Sequence, residues 1–212
     1  MNMERFESPK SPERKRLSIE TRRLFHKVLL AGDPKKISEV QEKMGWSDKK
    51  LQQVIHYQKL REISHSQKRE EVKQRWEKNP KATEEEMSMG AYNEQLEPQV
   101  RPAIVNLRRK GYSTISSGFA PLNDDQHILL EQADIDEINL PVELIEKLKE
   151  QQVNIKLVPR NIVLQFDGLL SLKEIEDSWN LVAQYLPDKN KQPNPTSFLN
   201  AVRFRERQAE IN

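Results

Sequence analysis

The stretch VRPAIVNLRRKGYSTISSGF, residues 100–119, decides how the second half of the chain is read. Val100, Ile104, Val105 and Leu107 recur at helical spacing and predict an amphipathic helix over residues 97–110. Gly111 stops it, and residues 112–117 alternate in character as a strand does. Ser116, Ser117 and Gly118 then read as the start of a turn that continues to residue 125. Hydroxyls beside a permissive glycine can hold an anion, with backbone N–H groups helping. The commoner use of such residues is structural: strands favour Thr, and turns favour Ser and Gly.

Working outward from this segment, residues 126–132 predict a second strand. Pro141 is well placed at a helix start, and VELIEKLKEQ follows as an amphipathic helix. Residues 154–158 and 161–166 are β-rich runs parted by Pro159-Arg160, which predicts a hairpin. Ser171 opens a last helix with Ile175, Trp179, Val182 and Leu186 inward. The order α-β-β-α-β-β-α predicts an α+β fold over residues 91–186, a two-layer sandwich with a mainly antiparallel sheet.

Upstream, residues 18–62 predict a helical unit of three helices. The first carries Leu24, Val28 and Leu29 on one side and breaks at Gly32-Asp33-Pro34. The second carries Ile37, Val40 and Met44 and ends at Gly45. The third carries Leu51, Val54, Ile55 and Leu60. Residues 63–90 predict a polar helix and linker, with Val72 and Trp76 four apart and Thr83 spaced to cap a short turn with Glu86. Residues 1–17, with Ser8-Pro9 and Ser11-Pro12 among charges, predict a disordered tail. Residues 187–212 predict a tail with a short C-terminal helix bearing Phe198, Val202 and Phe204.

Composition narrows the function classes. The 212 residues are 35% hydrophobic and 32% charged, a low apolar content for one compact globule. There is no cysteine, which excludes disulfides, thiolate metal sites and cysteine nucleophiles. No apolar run nears the roughly 20 residues that span a bilayer, and residues 1–16 lack an apolar signal core. A soluble, cytoplasmic protein without a membrane partner is therefore expected. Residues 1–60 hold 14 Lys and Arg against 8 Asp and Glu, net +6, while residues 98–186 hold 9 against 13, net −4. A basic head on a mildly acidic body suits contact with a polyanion, nucleic acid included, or with a protein partner.

The segment ISEVQEKMGWSDKKLQQVI, residues 37–55, resembles the helix-turn-helix of DNA-binding proteins. Val40, Met44, Leu51 and Val54 stand where the two helices would face each other, and Gly45 stands in the turn. The resemblance implies that Lys49, Lys50, Gln52, Gln53 and His56 face outward to read or grip nucleic acid. Gln41 stands where that motif usually has a small residue. Residues 112–118 are similar to a GYxTxxS segment of small α+β domains and to the Ser-Ser-Cys turn of wybutosine-synthesis methyltransferases. Gly118 and Phe119 stand in place of that cysteine, so the resemblance implies no activity here.

The acid–base inventory is thin. Of four histidines only His127 falls in the sandwich, just after Asp124 and Asp125. A Ser116/Ser117/His127 site needs only spatial proximity, yet no GxSxG elbow supports it. No set of three or four metal ligands can be assembled, and phosphate-loop and dinucleotide fingerprints are missing. The sequence thus reads as a non-enzymatic binding protein, possessing no catalytic residues, metal or cofactor, that works through its basic helical unit. Two alternatives stay open: a small enzyme or ligand-binding domain using Ser116, Ser117, Gly118 and His127, and a protein-interaction scaffold using Trp76, Phe198 and Phe204.

Overall fold

The structure, a computed structural model, describes residues 18–78, 95–120 and 122–189. The N-terminal tail, Thr83, Phe198, Val202, Phe204 and the side chain of Trp76 lie outside the described residues.

Three helices form first, each with a local reason. Helix α1 (Ile19–Ala31) starts where the Ser18 hydroxyl accepts from the Thr21 N–H, and stops at Gly32 with φ 76°. Helix α2 (Pro34–Met44) starts with Asp33 accepting from the Lys35 and Lys36 N–H groups. It ends at Gly45 with φ 62°, a conformation that favours glycine. Helix α3 (Asp48–Lys78) runs unbroken for 31 residues. The sequence predicts a third helix to about residue 62 and a separate polar one beyond. Nothing between the two breaks the backbone ladder, because the intervening residues are all tolerable helix formers.

The remaining elements follow the predicted order with one addition. They are α4 (Arg101–Arg109), β1 (Thr114–Phe119), β2 (Asp125–Leu130), α5 (Gln132–Asp136), α6 (Val142–Glu150), β3 (Val153–Val158), β4 (Asn161–Phe166) and α7 (Leu172–Tyr185). The one-turn α5 is the addition. The strands make a four-stranded sheet in the order β1-β2-β4-β3, every pair antiparallel. The fold is α+β, as the sequence predicts.

One face of the sheet is the core. Gln126, Ile128 and Leu130 of β2 and Ile162, Leu164 and Phe166 of β4 are buried against Ile104, Leu107, Leu148 and Trp179 of the helices. Arg108 is buried too, with Nη1 donating to the Thr114 carbonyl at 3.1 Å and to its hydroxyl at 3.2 Å. Burial pushes its guanidinium down to about 10, opposed by Glu131, so it stays charged at neutral pH.

Helix α3 is shared between both halves. Tyr57 is fully buried with the sheet core, its ring 4.9 Å from Phe166 and 6.3 Å from Phe119. Its hydroxyl donates to the Gly168 carbonyl at 2.7 Å and accepts from the Leu170 N–H at 3.1 Å. Higher up α3, Ser64 donates to Gln99 at 2.8 Å and Arg101 meets Glu71. A second cluster joins Phe25, Leu29, Val40, Leu51 and Val54 with Leu122, which reaches in from the β1–β2 turn. Leu122 has φ 59°. That conformation costs a leucine on the order of 1 kcal/mol, and burial of the side chain offsets it with about 2.

Tyr57→Phe keeps the ring and strands two buried backbone groups, the Gly168 carbonyl and the Leu170 N–H. It lowers stability by about 2 kcal/mol. Urea unfolding checks this: the midpoint falls and the slope stays unchanged.

Candidate functional site

Helices α2 and α3 flank the turn at Gly45, and α3 packs one of its sides against the sandwich. The turn is locked by Gln41, whose Nε2 donates to the Trp46 carbonyl at 3.2 Å and to Asp48 Oδ1 at 2.7 Å. The amide thus fills the space that a small residue would leave.

Of the five residues expected outward on α3, Lys49 and Gln52 are exposed. The other three turn toward the sheet. Lys50 Nζ pairs with Asp124 Oδ1, Gln53 Nε2 donates to the Asp167 carbonyl at 2.8 Å, and His56 Nε2 lies 2.7 Å from the Leu170 carbonyl. Gln53 is buried. The correction has a visible cause. Lys50, Gln53, Tyr57, Leu60 and Ser64 recur at spacings of 3, 4, 3 and 4, a second stripe on α3 beside the apolar one. Only two of the five are apolar, which hid the stripe from hydropathy.

The Ser-Ser-Gly segment is strand, not turn. The register pairs Ser116 with Leu129, Ser117 with Ile128 and Gly118 with His127, and β1 runs on to Phe119. Neighbouring strand residues point to opposite faces, so Ser116 lies on the free face and Ser117 beside the buried Ile128. Gly118 admits a close neighbour: a Cβ there would lie 3.1 Å from Glu97 Oε1. Ser116, Gly118 and His127 therefore lie on one face of the sheet and Ser117 on the other.

On the free face, His127, Asp125 and Ser116 do share one side of the sheet. Burial lowers the His127 imidazole, with the Glu97 charge opposing. Burial and the neighbouring Asp124 charge hold Asp125 up at about 6, while Lys50, Lys156 and Asn123 pull it down. No hydrogen bond joins His127 to Ser116 or Asp125 among the described residues. The face offers polar contacts without an aligned base and nucleophile.

Glu97 is the polar centre that the sequence did not signal. It is 2% exposed and accepts from His65 Nε2, Gln99 Nε2 and Gln126 Nε2, each at 2.8 Å. Gln126 in turn accepts from Trp179 Nε1 at 2.7 Å. One buried carboxylate thereby ties α3, the approach to α4, β2 and α7. The described residues hold no group of three or more His, Asp or Glu placed for a metal ion, and no described helix is long and apolar enough to cross a membrane.

The open concavity on the helical unit lies between α1 and α2. It measures about 280 Å³ and is lined by Leu24, Phe25, Val28 and Val40, with Lys36, Glu39 and Lys43 among its walls. Leu24, expected on the inward side of α1, is 59% exposed here, while Phe25 and Leu29 take the buried positions. Leu24 and Phe25 are adjacent and cannot both face inward on one helix, and the packing takes Phe25.

No family model matches the chain, and neither a curated protein nor a solved structure matches it.

Asp125 tests the electrostatics of the free face. Its folded value of about 6 lies above the ordinary 3.8. Its stabilising contribution is therefore full below the ordinary value and lost as pH rises through about 6. Asp125→Asn removes the charge and keeps an acceptor for Asn123. Melting at pH 7.5 shows a Tm gain of about 3 °C, which disappears as the pH falls to 4.

Proposed function

We propose that this protein is a non-enzymatic binding protein that holds an acidic protein partner on its N-terminal helical unit. The observation that carries this reading is how the unit divides its side chains. Lys50, Gln53 and His56 turn to the sheet, whereas Lys36, Lys43 and Lys49 stay exposed, two of them beside an apolar groove. Exposed lysines attract any polyanion. An exposed leucine between them favours a polypeptide, because a phosphate backbone offers no apolar surface to cover it. Groove reading of nucleic acid by α3 needs Lys50, Gln53 and His56 free. Freeing them also pulls on Tyr57, which is fully buried and doubly hydrogen-bonded.

The test titrates poly-L-glutamate and a mixed-sequence DNA duplex, separately, at low salt. Poly-L-glutamate binds, added salt weakens it, and Lys36→Glu with Lys43→Glu weakens it by about 10-fold. A duplex bound more tightly than poly-L-glutamate, and lost on Lys49→Glu, transfers the function to nucleic acid. Binding of neither removes both.

A further inference from the structure

The groove between α1 and α2 is small, apolar at its floor and basic at its rim. Phe25 and Val40 are buried at the floor, and Leu24 projects beside it with 59% of its surface exposed. An exposed leucine over an apolar floor is a place that a partner's apolar side chain can cover. Its volume of about 280 Å³ is on the order of two leucine-sized side chains at protein packing density. Two such side chains on one face is what a helix presents at positions i and i+4.

The charges choose the partner. Lys36 and Lys43, seven residues apart, share one face of α2 at the groove, with Glu39 between them. Lys36 also reaches Asp33 at 3.7 Å, but both side chains remain largely exposed and that pair is easily exchanged. Lys36 and Lys43 against Glu39 leave the lining net positive by one charge.

We propose that this groove takes the apolar stripe of an acidic amphipathic helix from a partner protein, with two apolar side chains inserted between α1 and α2 and carboxylates meeting the rim lysines. The proposal rests on the reading of the helical unit as a protein-binding surface, and narrows it to one groove and one shape of ligand. Apolar anchors in a desolvated pocket carry most of the affinity in such contacts, and rim charges mostly set attraction and salt dependence.

The experiment uses the full chain and a labelled synthetic peptide of about 16 residues, with Leu at i, i+4 and i+7 and mostly Glu and Ala elsewhere. A scrambled peptide of the same composition is the control, and fluorescence anisotropy is the readout. The amphipathic peptide binds at least about 10-fold more tightly than the scramble. Leu24→Glu removes that difference. Leu24 is mostly exposed, so the variant is expected to fold, and an unchanged melting curve checks it. Leu169→Glu, at a leucine equally exposed elsewhere, leaves binding intact. Replacing the peptide's leucines with alanine abolishes the preference without touching the protein. Lys36→Glu with Lys43→Glu weakens binding and flattens its salt dependence. Equal binding of both peptides, or a preference that survives Leu24→Glu, overturns the groove proposal. If both peptides then still weaken on reversal of the two lysines, an acidic partner remains and only the groove is lost. If neither peptide nor poly-L-glutamate binds, the wider reading falls as well.

Discussion

The burial of Tyr57 is the contact on which the rest of the arrangement depends. Its ring fills the end of the sheet core between Phe119 and Phe166, and its hydroxyl holds the loop into α7 at two backbone groups. A helix that began as part of a small three-helix cluster is thereby made a wall of the sandwich. The placement of the hairpin tip follows. With α3 fixed along the sheet end, Leu122 reaches the α1–α3 cluster and Asp124 meets Lys50. The helical cluster is small, with six buried residues, and a chain with only 35% hydrophobic residues has little more to bury. Joining the clusters through one shared helix lets each shield the other.

The seam between them is largely polar, and this is physically consistent. Ser64–Gln99, His65–Glu97 and Gln53 with the Asp167 carbonyl are directional contacts, each requiring its own partner. An apolar seam would tolerate sliding by a helical turn. A buried carboxylate held by three donors does not, because any slip leaves Glu97 charged and unpaired in a dry place. Gly118 belongs to the same constraint, since any larger residue there crowds the Glu97 carboxylate.

This packing also decides which surfaces remain for partners. Of the residues that a helix-turn-helix would present on α3, Lys50, Gln53 and His56 meet the sandwich, while Lys49 and Gln52 stay exposed. What stays open on the helical unit is the opposite flank, where α1 and α2 diverge over Leu24. On the sheet, the free face carries a half-buried His127 and Asp125 whose ionisation is governed by burial and by near charges. The function proposed for the helical unit therefore arises from what the intramolecular interface leaves uncovered.

Much of the local structure was legible in the sequence. Ser171 caps its helix as its place in the sequence predicts, Gly32 and Gly45 end helices in left-handed conformation, and the β-rich run 161–166 is a strand. These features depend on neighbours within a few residues, so spacing alone carries them. The candidate site was less legible. Lys50, Gln53 and His56 look like solvent-facing polar residues until Asp124, 74 residues away, meets the lysine and the loop after β4 supplies carbonyls 114 residues away to the other two. Gly118 and Phe119 read as the start of a turn until pairing with β2 extends the strand through them. Leu24 looks like core until Phe25 and Leu29 take the interior. In each case the side chain's identity permits two environments. Only the tertiary structure chooses, because the partner that satisfies a polar group or covers an apolar one comes from a distant part of the chain.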